Sequence, residues 1–245
     1  MGRGGPLPLR ALPRLFLLGI EDPSLERLAI PDDEYDKLRK VLRLATGDEI
    51  GVLPGDGRLL RCRLDGRSAV VEETHYPDTE SQTAVSVALA LPKPEKLEES
   101  VRMATELGVV EILVFPSVRS VVRWDNEKTQ SKVERLRKIA REACEVSYRT
   151  RLPSIRAVSS LSEALEAPVV AVLSEGQGVV TTLAEWLTNA GLGPRLVGGP
   201  EGGWAPDEVA KIGDRAVKLG PRVLRVDTAV AAACSLALCV TRREG

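Results

Sequence analysis

The stretch RLVGGPEGGW, residues 195–204, sets the carboxylate of Glu201 among four glycines and a proline, between a short apolar strand candidate and a helix candidate. Glycine tolerates positive φ and has no Cβ to hold a ligand away, so a strand-to-helix loop of this composition can cradle a flat or anionic group. The familiar nucleotide signatures are not met. Gly198, Gly199, Gly202 and Gly203 do not give G-x-G-x-x-G, and no Lys-Ser or Lys-Thr follows to complete a P-loop. A tight turn with no ligand fits the same residues. The one histidine, His75, lies in the polar run EETHYPDTESQ, so a zinc site or a Ser-His-Asp triad lacks partners, and no metal is expected. Cys62, Cys144, Cys234 and Cys239 are scattered without a C-x-x-C pair and read as buried thiols.

Charge gives no global lead. The 34 Lys and Arg nearly balance the 35 Asp and Glu, leaving a net charge of −1 and a pI near 6.1. Two local clusters stand out: Arg58, Arg61, Arg63 and Arg67 in RLLRCRLDGR, and Arg135, Arg137, Lys138, Arg141, Arg149 and Arg151 in RLRKIAREACEVSYRTR. Either can be a phosphate-contacting face or an ordinary solvated one. With 3% aromatic residues, a base-stacking platform of the RRM type is not expected.

Positioning such residues requires a core, and a chain of 245 residues with 43% hydrophobic content can build one large domain or two smaller ones. No apolar run is long enough to span a bilayer, and the apolar stretch near the N-terminus is short and interrupted by Arg14. No membrane contact and a cytoplasmic location are therefore expected. Residues 14–75 read as short strands, RLFLLGI, GDEIGVLPGDGRLLRCRL and RSAVVEE, with Gly55-Asp56-Gly57 as a hairpin signal; together they suggest a small β-barrel. Between them DDEYDKLRKVLRL places Leu38, Val41, Leu42 and Leu44 at roughly helical spacing, ending near Gly47. After a polar linker at 76–83 the rhythm becomes α/β: AVSVALAL, then the helix KPEKLEESVRMATELG, then VEILVFPS, then a long helix after Asn126. In the last third VVAVLSEGQG, RLVGGPEGG and AVKLGPRVLR each run from a strand into a Gly- or Pro-containing loop, with helices near Thr182, Pro206 and Thr228. In a parallel sheet such loops face one crevice. The final helix, DTAVAAACSLALCV, is apolar nearly all round, which predicts burial by the core or by a second subunit.

GPEGGW and LGPRVLRVDTA, preceded by KPEKLEESVRMATELGV and PSVRSVVRW, resemble the RsmE family, bacterial methyltransferases that modify N3 of a uridine in 16S ribosomal RNA of the small subunit. RLFLL and DKLRKVLRLATGDEI are similar to the same family, so the resemblance covers almost the whole chain. It implies an α/β fold in which residues 1–76 form a small N-terminal PUA-like β-barrel that binds RNA. Residues 84–245 would form a C-terminal SPOUT domain with a deep trefoil knot, an exception to the rule that chains are unknotted. It also implies a homodimer and S-adenosylmethionine as cofactor.

Carried over position by position, the resemblance assigns the cofactor to Leu173, Gly198, Gly199, Pro200, Glu201 and Gly202, and to Leu219, Gly220, Arg222, Leu224 and Arg225. Loop main-chain groups would read the adenine edge. The implied reaction is attack of uridine N3 on the sulfonium methyl, with S-adenosylhomocysteine leaving. Because N3–H is only weakly acidic, the site must help remove that proton and stabilise charge on O2 and O4. Arg225 is the expected cation and Asp227 an expected proton acceptor or orienting group, although Asp227 can equally be a helix N-cap. Arg14, Lys40, Arg43, Arg119, Arg123, Arg141 and Arg149 are the expected RNA contacts. The chain departs from the family in four places: Asp227 replaces the usual Glu, Val226 an often-seen Thr, Val146 the Gln of a Glu-Gln pair, and Asp36 and Lys37 stand near where a histidine is usual before VLR. Three alternatives remain open: a methyltransferase of another RNA, a non-catalytic RNA-binding protein, and a nucleotide-dependent α/β enzyme.

Overall fold

Glycine-tipped hairpins and half-buried strands build the N-terminal part of the chain. In the computed structural model, which describes residues 7–20, 22, 26–176, 178–190 and 193–240, the described residues up to 80 form one compact unit together with 144–152. Residues 81–143 and those from 153 onward form another.

In the first unit β1 (Arg14–Phe16), β2 (Arg27–Ala29), β3 (Glu49–Leu53), β4 (Leu59–Asp65) and β5 (Ser68–His75) make a curled five-stranded sheet of order β1-β3-β4-β5-β2. β1 runs parallel to β3 and the other ladders are antiparallel. The expected hairpin lies between β3 and β4, where Gly55 and Gly57 hold φ of 92° and 106°, values that favour glycine. One face of the sheet buries Leu15, Ile50, Val52, Leu60 and Cys62. The other buries Leu12, Phe16, Leu53 and Leu59 against Cys144, with Tyr148 and Leu152 beside it.

The expected helix across 32–44 is shorter than its spacing suggested. α1 (Asp32–Asp36) passes into a π-helical turn, Lys37–Val41, and Arg43 turns the chain at φ 58°. Only Leu38 of the four apolar residues is buried, while Val41 and Leu42 are exposed. The widened turn rotates them off the core face. His75 is the last residue of β5 and contacts Glu73.

The second unit strings β6 (Ser86–Ala90), α2 (Pro94–Leu107), β7 (Glu111–Phe115), α3 (Asn126–Ser147), β8 (Ser154–Ala157), α4 (Leu161–Ala164), β9 (Val170–Leu173), α5 (Leu183–Asn189), β10 (Arg195–Gly198), α6 (Pro206–Ile212), β11 (Ala216–Val217) and α7 (Val226–Val240). The last turn of α3 belongs to the first unit. All six strands are parallel, in the order β11-β9-β10-β6-β7-β8. β6 and β10 are buried on both faces, which explains why both are apolar after their first residues, Ser86 and Arg195. α2 starts on Pro94 and stops at Gly108, φ 108°, burying Leu97, Val101 and Ala104. Full burial of a side chain such as Leu97 contributes roughly 1.5–3 kcal/mol. α5 opens with a capping box between Thr182 and Glu185.

α7 carries one buried stripe, Val230, Ala233, Cys234 and Ala237, while Ala231, Ala232, Leu236 and Leu238 are half-buried. Cys239 is exposed, contrary to the buried-thiol reading, because it lies off that stripe. Burial pushes the thiols of Cys62, Cys144 and Cys234 up to about 12, so these three remain protonated and unreactive. Among the described residues no helix is long and apolar enough to cross a membrane.

Candidate active site

The sheet order brings the carboxyl ends of β9, β10 and β11 together, and their loops wall a cleft of about 590 Å³. That volume suits a small-molecule site. The first loop contributes Leu173, Ser174, Glu175 and Gly176; the second, Gly198, Gly199, Pro200, Glu201, Gly203 and Trp204. The third contributes Leu219, Val223, Leu224 and Arg225, and Val226, Ala229 and Val230 of α7 continue that wall. Most of the lining is apolar side chain and loop main chain.

The second loop is held by the protein's own contacts. A Cβ on Gly199 would lie 2.9 Å from Cε2 of Trp204, so that glycine makes room for the indole. Trp204 in turn donates from Nε1 to the Leu173 carbonyl at 3.0 Å and stacks on Phe115 with ring centroids 6.4 Å apart. This ties the second loop to the end of β9. A Cβ on Gly202 would meet Arg119 Cβ at 3.3 Å, and Arg119 donates to the Gly202 carbonyl at 3.0 Å. Glu201 accepts the Lys93 N–H at 3.1 Å, at the start of α2. At the loop's exit the buried Glu208 accepts from the amides of Ala205 and Val118 and from the Ser117 hydroxyl, at 2.9, 3.0 and 2.8 Å. Burial pushes its carboxyl up, but these three donors outweigh burial and hold it below the ordinary carboxylate range.

The third loop is different. Arg222, Val223 and Arg225 are exposed, and neither arginine has an ion-pair partner among the described residues. The Arg225 carbonyl opens α7 by accepting from the Ala229 amide at 2.8 Å. Two residues on, Asp227 takes the Lys96 ammonium at 2.7 Å. Hydrogen bonding to Lys96 is the largest of the effects that hold the Asp227 carboxyl below the ordinary range.

Of the expected cofactor residues, the cleft gathers Leu173, Gly198, Gly199, Pro200, Glu201, Leu219, Leu224 and Arg225. Gly202, Gly220 and Arg222 stand outside its lining. Asp227 also stands outside that lining, its carboxylate paired with Lys96 and held below the ordinary range. Sequence reasoning passed over Ser174, Glu175, Gly176, Val226, Ala229 and Val230. It also passed over Trp204, although the tryptophan directly after a glycine pair was a visible signal.

The expected RNA contacts separate too. Arg149 is 3% exposed and its guanidinium binds Glu80 at 2.9 Å. It forms a buried ion pair within the first unit. Arg14 donates from Nε to the Glu145 carbonyl at 2.7 Å and lies over the Tyr148 ring, which pins residues 144–152 to β1. Arg141 is half-buried and engaged within the protein. Lys40, Arg43, Arg119 and Arg123 are exposed, Lys40 with Asp36 at 2.7 Å and Arg119 on the Gly202 carbonyl. The strand cluster is neutralised: Arg58 pairs with Asp56, Arg61 with Glu49 and Glu73, Arg63 with Glu72, and Arg67 with Asp32.

Residues 79–238 match a family described as an RNA methyltransferase domain. The ribosomal RNA small subunit methyltransferase E of Bacillus subtilis (strain 168) is 34% identical over 218 residues, covering 82% of this chain and 85% of that protein. The protein of the same name from Mycobacterium bovis is 32% identical over 237 residues, covering 90% of each. Among solved structures, a ribosomal RNA small subunit methyltransferase E from Neisseria gonorrhoeae bound to S-adenosyl methionine superposes with a TM-score of 0.80. It is 24% identical, with 91% of this chain and 95% of that one covered, and shares the fold.

Proposed function

Because the chain belongs to the ribosomal RNA small subunit methyltransferase E family, we propose that it transfers a methyl group from S-adenosylmethionine to N3 of a uridine in 16S ribosomal RNA, with the three-loop cleft as its active site. The observation that carries this reading is the cleft itself: apolar walls, loop main chain on two sides, and one lining cation, Arg225, left without an ion-pair partner among the described residues. Leu173, Leu219, Leu224, Val226 and Val230 can cover an adenosyl group, and the main chain of residues 174–176 and 198–200 offers donors and acceptors to its edge. When bound, the cofactor supplies a methyl group activated on a sulfonium. Arg225 serves the substrate, stabilising the negative charge that spreads onto O2 and O4 as N3 loses its proton. Glu201 holds the second loop to α2 through the Lys93 amide.

Lys40, Arg43, Arg119 and Arg123 are the phosphate contacts in this reading, each adding an increment to salt-dependent binding. The sheet of the first unit corresponds to the family's PUA-like RNA-binding barrel, and the second unit to its knotted SPOUT domain. We assign the half-buried side of α7 to a second copy of the chain, making the working enzyme a cytoplasmic homodimer. Calorimetric titration with S-adenosylmethionine, NAD and ATP tests the reading: saturable binding of the first alone supports it. RNA binding without cofactor binding points instead to a non-catalytic RNA-binding protein.

A further inference from the structure

The first turn of α2 touches the cleft's second loop and the start of α7. Its entry amide, on Lys93, holds Glu201 of the second loop, and one turn later Lys96 holds Asp227, two residues beyond Arg225. The Lys96–Asp227 pair is largely shielded, with side-chain exposures of 30% and 14%, and it joins helices that pack along each other. Among the described residues the third loop has no comparable polar anchor: Arg222, Val223 and Arg225 are exposed, and nothing lies within 4 Å of a Cβ built on Gly220.

We propose that Lys96 is a positioning residue for methyl transfer: through Asp227 it fixes the start of α7, and so fixes where Arg225 stands over the cleft. This inference rests on the methyltransferase reading above. It gives Asp227 a supporting role and leaves the charge-stabilising role to Arg225. A misplaced catalytic group costs rate more than affinity, because the other two loops still bind the cofactor.

The test uses the full-length protein carrying Lys96→Met, Lys96→Arg, Arg225→Ala, or Lys96→Met with Arg225→Ala. S-adenosylmethionine affinity, kcat on small ribosomal subunits and melting temperature are measured for each. Lys96→Met should lower kcat by ~10- to 100-fold, the scale of a misplacement near 1 Å, while changing cofactor affinity by less than ~3-fold. Lys96→Arg should restore kcat to within ~3-fold, since the ion pair is kept. The double variant should be no slower than Arg225→Ala alone, because residues acting as one unit are not additive. Should Lys96→Met fail to fold, Asp227→Asn repeats the comparison with the unpaired charge on Lys96, the more exposed member of the pair. A kcat within ~2-fold of the unaltered protein, or losses that multiply in the double variant, overturns the inference. If the unaltered protein neither binds the cofactor nor transfers a methyl group, the functional reading fails and takes this inference with it; an active enzyme indifferent to Lys96 sinks this inference alone.

Discussion

The second and third loops of the cleft each carry a Gly-Pro step and have opposite construction. In residues 198–204 the missing side chain of Gly199 is filled by Trp204, that of Gly202 faces Arg119, and Glu201 is bound to α2. In residues 219–225 Arg222, Val223 and Arg225 are exposed, and the arginines find no carboxylate among the described residues. A loop whose side chains are braced by its own protein serves as framework. One that leaves cations unpaired beside a cleft keeps them for a ligand. The contrast separates stability from activity: changes in the second loop should unfold the protein, and changes in the third should silence it while it stays folded.

The most severe test is Trp204→Ala, which removes an indole 9% exposed together with its bond to the Leu173 carbonyl. About 3–5 kcal/mol of stability should be lost; an unchanged denaturation midpoint would show that the second loop is not anchored as described. Next comes Arg225→Ala, expected to reduce kcat by about 10²- to 10³-fold, or roughly 2.7–4 kcal/mol, at constant melting temperature. A large stability loss here would erase the distinction between the loops. Gly199→Ala places a methyl against the indole and should cost about 1–3 kcal/mol by overpacking.

A smaller effect is expected for Glu208→Gln, about 1–3 kcal/mol as amide donors lose a charged acceptor. Since the folded Glu208 carboxyl titrates below its unfolded value of about 4.3, its contribution is complete above that pH and is lost as pH falls through the folded value. Acid melting curves should therefore fall more steeply for the unaltered protein than for the variant. Arg123→Ala should be the mildest, lowering the salt slope of RNA binding by about one unit without affecting stability.

What the sequence made legible follows burial. β6, β7, β9 and β10 announce themselves as apolar runs because the sheet is covered on both faces. β2 and β8 escaped because each is a short edge strand with one buried position. The three loops were found by their glycines, yet Gly199 and Gly202 accommodate neighbouring side chains, which no spacing rule reveals. Arginine clusters were the least informative signal: Arg58, Arg61, Arg63 and Arg67 all meet acids distant from or folded back onto them, while Arg225 stands apart from any cluster. Lys96 lay in a quoted helix, but its partner is 131 residues away, a pairing only the folded chain supplies.

The central claim is chemical, and methyl transfer to small ribosomal subunits lacking the modification tests it most directly. With labelled S-adenosylmethionine, one uridine of 16S ribosomal RNA should gain a methyl group on N3, and Arg225→Ala should abolish most of that incorporation. Label on another atom or another RNA, or none from a folded protein that binds the cofactor, would contradict the account.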